Sequence, residues 1–381
     1  MSSVSKAKLK KNIAISIGAQ LVSVIVSVLL NLIVPKFLPE IQYAYWQTYL
    51  LYAGYVGILH FGLLDGLMLR YSQYDYDELD KTTIRSQFKV LLFLLCFSSL
   101  ITLIVGFSLN DSVTSSVFCF IAIAIFSKNL YTYTSYSFQM TNRINEYALF
   151  VILQRVLYLI GIVSLLIFGV QWFVWFCVVD VLADFISCCF GSIYNRGLYL
   201  GKSLPVSSTL SELKENILAG IILLGANWSS MLIVGASKMF IQWHWTPIQF
   251  AKVSFAFSVS NLFLTFVTAI SVVLFPALKR TSPEELPFFY SEIRNKIDPI
   301  LFSIIALYFP GNWILKIWLP NYSDSLPYLG LLLPTIVFSS KVSLLTNNYL
   351  KALRKEKVLL YINLFSVLFA VTLYYLSLIH I

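Results

Sequence analysis

Charged residues make up only 12% of this 381-residue sequence, and it holds just three histidines. A soluble globular chain carries about 25% charged residues, so half of the charge needed to face water is missing. A water-soluble domain is thereby excluded. Intrinsic disorder is excluded as well, because 58% of the residues are hydrophobic and mean hydropathy is +0.79. His60, His244 and His380 stand singly and no HExxH occurs, so there is no metal constellation. No phosphate-binding GxxxxGK loop is found, and hydrolysis of ATP by the chain itself is not expected. The five cysteines, Cys96, Cys119, Cys177, Cys188 and Cys189, lie inside apolar runs at no ligand or disulfide spacing. They read as small buried hydrophobes. Nothing in the sequence calls for a cofactor, and no enzymatic motif is seen.

What the chain does have is long apolar runs. Lys6, Lys8, Lys10 and Lys11 precede one at Ile13 to Val34. At about 20 residues this run spans a bilayer, and no small-residue cleavage site follows it, so it reads as an uncleaved first transmembrane helix rather than a signal peptide. Ten more runs follow, at 43–69, 90–109, 114–138, 147–168, 171–194, 216–242, 248–278, 297–318, 326–349 and 358–379. Spanning backbone must satisfy its own hydrogen bonds, and continuous runs of this length do so as helices, not as the short alternating strands of a barrel. The expected fold is therefore an all-α polytopic transmembrane bundle of about eleven helices.

Lysine and arginine test the count. With the N-terminus cytoplasmic, the inner segments carry twenty of them and the outer side two, Lys36 and Lys316. This alternation is what the positive-inside rule expects. The formal net charge of +9 is thus assigned to basic loops facing anionic lipid rather than to a nucleic-acid surface. The polar connector Asn195–Lys214 divides the chain into lobes 1–200, with six helices, and 201–381, with five. The odd count, and the close at Leu378-Ile379-His380-Ile381, point to a missing last helix or to a natural eleven-helix variant of a two-lobed bundle.

Ionisable groups inside spans cost about 2.5–3.5 kcal/mol each at mid-helix, and they almost always face a cavity or a partner. The cations are Lys128, Arg155, Lys238, Lys252 and Lys341; the anions are Asp65, Asp180 and Asp184. Lys128, Arg155 and Lys341 lie deep. Lys238 and Lys252 lie near outer ends, within reach of the interface. Asp180 and Asp184, four apart, share a helix face. Two readings follow. Either Lys128 or Arg155 pairs with these aspartates and fixes packing, or cations from both halves line a central aqueous cavity that binds an anion. Asp65, in Gly62-Leu63-Leu64-Asp65-Gly66, is expected at a helix end near Arg70 or water. Aromatic residues reach 16%. Tyr43, Tyr45, Trp46, Trp243, Trp245, Trp313 and Trp318 are expected in interfacial belts. Tyr131, Tyr133 and Tyr136 fit a belt or a sugar-stacking role. Pro310-Gly311 and Pro334 are expected to break the ninth and tenth spans.

Four stretches carry a likeness to a known family: Lys11-Asn12-Ile13 with Val34-Pro35-Lys36-Phe37-Leu38-Pro39; His60-Phe61-Gly62-Leu63-Leu64-Asp65-Gly66-Leu67 with Arg70-Tyr71; Leu274-Phe275-Pro276-Ala277-Leu278-Lys279-Arg280; and Trp318-Leu319-Pro320-Asn321-Tyr322 with Tyr349-Leu350-Lys351-Ala352-Leu353. In their order and spacing the chain resembles the Wzx-type polysaccharide flippases of the multidrug/oligosaccharidyl-lipid/polysaccharide exporter superfamily. It departs from them in showing eleven helices rather than twelve or fourteen, and in carrying Lys238 in the seventh span, where relatives often place an acid. The resemblance implies a non-enzymatic carrier in the bacterial cytoplasmic (inner) membrane. Its cargo would be an undecaprenyl-pyrophosphate-linked oligosaccharide, moved between leaflets by alternating access for O-antigen or capsule assembly. Lys128, Arg155 and Lys341, with Lys238 and Lys252, would then bind the substrate. Asp180 and Asp184 would couple transport to protons or sodium, or neutralise a cation. The alternatives are a multidrug or metabolite exporter of the same superfamily and, further off, a membrane polymerase or acyltransferase, for which the outer loops are too short.

Overall fold

The computed structural model describes residues 3–280, 284–306, 308–353 and 355–379, with side chains described outside 3–13, 265–280, 304, 351, 352, 356 and 377–379. His380 and Ile381 therefore lie outside the described residues, as do the side chains of the N-terminal lysines and of Leu274–Arg280. Every regular element among the described residues is helical. In chain order they are α1 (Ser3–Phe37), α2 (Glu40–Ala53), α3 (Leu63–Tyr71), α4 (Lys81–Ser108), α5 (Ser112–Met140), α6 (Ile144–Ile167), α7 (Phe173–Tyr194), α8 (Arg196–Tyr199), α9 (Val206–His244), α10 (Pro247–Arg280), α11 (Leu286–Ala306), α12 (Tyr308–Trp318), α13 (Leu326–Lys341), α14 (Asn348–Ala352) and α15 (Glu356–Ile379). Eight helices among the described residues are long and apolar enough to cross a membrane, or up to ten if each of two bent pairs is one span. The 34-residue α10 fills the position of the eighth expected span.

Local chemistry sets the helix starts. Asp80 caps α4 by accepting from the amides of Thr82 at 3.0 Å and Thr83 at 3.3 Å. Asp111 caps α5 through the amides of Val113 and Thr114. Both satisfy first-turn N–H groups that have no partner within the helix.

The second expected span, 43–69, is not one straight helix. It is α2, a 3-10 turn and α3, bent by 59°. The bend sits at Phe61 and Gly62, whose φ values of 52° and 84° are left-handed. Bending lets α3 lie against α9 so closely that a Cβ on Gly66 would fall 1.9 Å from the carbonyl oxygen of Asn216. Only glycine permits that approach. The ninth expected span is broken, as α11 and α12 bent by 41°, and Pro310 sits in the first turn of α12, where no amide partner is needed. The expectation for the tenth span is corrected. α13 runs through Pro334 unbroken, and the irregular segment is instead a π-helical turn at Val342–Asn347.

Within the first 200 residues, α5 packs on α4 and α7, α6 on α1 and α7, and α2 on α5 and α7. Further on, α9 packs on α15 and α10 on α13. The two groups meet along α3 and α9, along α1 and α10, and where α2 meets α10. Tyr43 and Trp46 belong to the buried core, not to a belt, at 0% and 3% exposure. They pack on each other and on Tyr322 and Phe176. Trp243 and Trp313 are exposed, as belt residues are.

Candidate functional site

The helices α1, α2, α5, α6 and α7 line an open-sided cavity of about 440 Å³ that carries both Lys128 and Arg155, with Asp180, Tyr131, Tyr158 and Asn31 among its lining. Its charges are far from helix ends. Lys128 is the seventeenth of 29 residues in α5, Arg155 the twelfth of 24 in α6, and Asp180 and Asp184 the eighth and twelfth of 22 in α7. At 1.5 Å per residue, Arg155 is about 16 Å from its helix start.

Lys128 is held by both aspartates. Its ammonium lies 2.8 Å from Asp180 Oδ1 and 2.8 Å from Asp184 Oδ2. The i, i+4 spacing on α7 brings the two carboxylates to one face, where a single lysine bridges them. Every oxygen of the two carboxylates has at least one partner. The Tyr49 hydroxyl donates to Asp180 Oδ2 at 2.8 Å. Gln154 Nε2 donates to Asp184 Oδ1 at 2.9 Å, and the Ser127 hydroxyl to Oδ2 at 3.1 Å. Both aspartates are almost fully buried, and such burial is tolerable only for carboxylates paired and hydrogen-bonded in this way.

Arg155 differs. No ion pair or hydrogen bond to its guanidinium is found among the described residues, and its Nε is buried without a partner. Around it are tyrosines: Tyr131 and Tyr158 line the cavity with it, and Tyr131 stacks on Phe150 with ring centroids 4.7 Å apart. Of the aromatic cluster on α5, Tyr131 faces the cavity, whereas Tyr133 is buried in the core and donates to the Leu198 carbonyl. A guanidinium has five donors and no acceptor. The cavity therefore keeps unused donor capacity at Arg155, while each carboxylate oxygen is already engaged.

The other candidate residues are elsewhere. Lys341, at the end of α13, lies 2.8 Å from Asp298 on α11. Lys252, near the start of α10, lies 2.7 Å from the exposed Asp324. Lys238 on α9 stands over the Phe257 ring at 5.5 Å. None of the three lines the cavity of Lys128 and Arg155, so cations of both halves do not share one chamber in this structure. Asp65 is buried at 4% exposure, beside His60 at 3.8 Å and not beside Arg70. Arg70 is instead paired with Glu212 at 2.6 Å and Glu215 at 2.7 Å on α9.

Sequence reasoning missed Tyr49, Ser127 and Gln154. A signal existed: Ser127 and Gln154 each adjoin an intramembrane cation, and polar neighbours of such a charge are candidates for its hydrogen-bond shell. Asp298 and Asp324 were missed because they sit at span edges, where a carboxylate needs no explanation.

No protein-family model matches the sequence, and no curated protein matches it. Solved structures do match. The inward-facing conformation of a multidrug resistance MATE family transporter of the MOP superfamily aligns over 92% of this chain and 84% of its own, with TM-score 0.65 and 13% identity. A eukaryotic MATE transporter aligns over 93% of this chain and 85% of its own, with TM-score 0.58 and 12% identity. A MOP superfamily transporter from Pyrococcus furiosus, described by the reverse polarity of its binding pocket, aligns over 96% of this chain and 88% of its own, with TM-score 0.53 and 14% identity. The chain is thus a multi-pass helical membrane bundle with the fold of the MATE transporters.

Proposed function

We propose that this chain is a non-enzymatic flippase of the bacterial cytoplasmic membrane. It moves an undecaprenyl-pyrophosphate-linked oligosaccharide between leaflets by alternating access of two lobes, residues 1–200 and 201–381, for surface polysaccharide assembly. The observation that carries the reading is Arg155, a mid-membrane guanidinium that faces a cavity with its donors unused. A pyrophosphate offers the acceptors that Arg155 lacks, and arginine suits bidentate phosphate contact. Tyr131 and Tyr158 line the cavity beside it, where a sugar would pass. The lipid tail stays in the bilayer. N-terminus and basic loops are placed on the cytoplasmic side by the lysine and arginine bias.

The site differs from the one drawn from sequence. Arg155 is the anion anchor. Lys128 is second, available only as its hold on Asp180 and Asp184 loosens, which makes the triad the candidate for proton or sodium coupling. Lys341 and Lys252 are neutralised by aspartates and contribute no free charge, and Lys238 lies outside the cavity. The second reading is an exporter of other cargo, as the multidrug transporters of the same fold are described. A cationic drug would need an open carboxylate, and the carboxylates here are occupied by Lys128, Tyr49, Ser127 and Gln154.

The test is transport in proteoliposomes, scored by appearance of a prenyl-pyrophosphate oligosaccharide in the far leaflet. Arg155→Gln is expected to abolish it and Arg155→Lys to retain part of it. Full transport by Arg155→Gln, or equal transport of a phosphate-free glycolipid, refutes the proposal.

A further inference from the structure

We infer that the basic end of α7 and α8 holds an anionic phospholipid, phosphodiester on Arg196 and acyl chain in the adjoining groove. A groove of about 520 Å³ opens there, lined by Phe88 of α4, Ser192 and Ile193 of α7, Arg196 and Tyr199 of α8, and Leu200. Its walls are apolar and face outward: Ile193 is 73% exposed and Leu200 63%. A free phosphate has no use for such walls; an acyl chain does.

The charge around the groove is predominantly basic. Arg85, Lys89, Arg143 and Arg196 gather about α8, and none of them forms an ion pair among the described residues. Three are committed to neutral acceptors. Arg85 donates to the carbonyls of Gly197 at 3.3 Å and Leu200 at 3.1 Å. Lys89 donates to the Ser203 hydroxyl at 2.5 Å, and Arg143 to the Tyr194 carbonyl at 3.2 Å and the Asn195 side chain. These contacts fix the cations without cancelling them. The acids near Arg143 are Glu146 and Asp77, neither in an ion pair with it, and Asp77 lies 3.9 Å from Lys81. Arg196 is exposed, its side chain makes no hydrogen bond among the described residues, and it lines the groove. A lipid bound here leaves its phosphate at the level of the basic loops and its chain against α4 and α7. Basic pockets between transmembrane helices at this end of a bundle suit anionic headgroups.

The test uses the full chain in nanodiscs with a photoactivatable phosphatidylglycerol as probe, and the labelled peptides are mapped. Labelling is expected on the peptide containing Ser192 to Leu200. Arg196→Gln should reduce it about fivefold, the worth of one cation near an anionic surface, and Arg196→Lys should retain it. Lys316→Gln, at the opposite end, should leave it unchanged. Equal labelling by a phosphatidylcholine probe overturns the inference, as does labelling undiminished in Arg196→Gln. Loss of labelling in the presence of inorganic phosphate would make the site a free-anion pocket and overturn it too.

Discussion

Replacing Lys128 with methionine keeps most of the side-chain volume and removes one ammonium. Two carboxylates, each 2.8 Å from that ammonium, are left facing one another in the middle of the bundle. Removing one partner of a buried ion pair costs about 3–5 kcal/mol, because the remaining charge stays desolvated. The lysine side chain is 29% exposed, into the cavity, while the aspartates are 6% and 2% exposed. Water in the cavity reaches the cation more than the anions, which places the loss near the lower bound, about 3 kcal/mol. Neutralising the anions should then restore what the lysine change removes. Lys128→Met/Asp180→Asn/Asp184→Asn is expected within about 1 kcal/mol of the parent, since an apolar replacement of a whole buried charge cluster is often neutral. The assay is unfolding in detergent micelles followed by tryptophan fluorescence, with each variant also run as the Asp184→Asn double. A Lys128→Met variant as stable as the parent, or a triple variant no better than the single, refutes the reasoning.

Two further perturbations test the scaffold. Gly66→Ala puts a methyl 1.9 Å from the Asn216 carbonyl oxygen and forces α3 off α9, so the purified variant should unfold at lower temperature. Gly18→Ala, with nothing within 4 Å of the new methyl, should be neutral or stabilising by up to about 1 kcal/mol in a helix interior; equal effects of the two would refute the packing argument. Asp80, outside the membrane, is held below the usual carboxylate range first by the Thr83 hydroxyl and then by the Thr83 and Thr82 amides. A depressed folded-state value means its contribution is complete above the unfolded carboxylate range and is lost as pH falls through the folded value. Asp80→Ala should therefore cost about 1 kcal/mol at neutral pH and progressively less on acidification; a cost independent of pH would contradict the capping role.

The spans were legible because they follow from a solvent argument acting locally. Each apolar run must satisfy its own backbone, so 147–168 in the sequence becomes α6 with its limits moved by three residues at most. The break in the second span was not legible. It depends on Gly62 and Gly66 meeting Asn216 and Gly220, some 150 positions away in the chain. The belt expectation failed at Tyr43 and Trp46 for a related reason. An aromatic residue near a span end reads the same whether it faces lipid headgroups or Tyr322. The proline expectation held for the ninth span, which bends just before Pro310, and failed at Pro334, because a proline in a well-packed helix can be accommodated and composition does not register packing.

The same division runs through the candidate site. That Lys128, Arg155, Asp180 and Asp184 matter could be read from the sequence, because an ionisable group in hydrocarbon requires a partner or a cavity. Which of them is paired could not. Lys128 takes both aspartates and Arg155 takes none, although either basic residue could have done so by spacing. Lys341 read as a deep cation and Lys252 as one near a span end, and nothing in the chain order showed that Asp298 and Asp324 would stand beside them. The sequence alone determined the membrane, the helices and the set of costly charges, since these depend on local apolarity and on the price of desolvation. Only the tertiary structure decided which of these charges are paired and which have no ion-pair partner among the described residues, because ion pairing acts over about 3 Å between helices that the chain order leaves far apart.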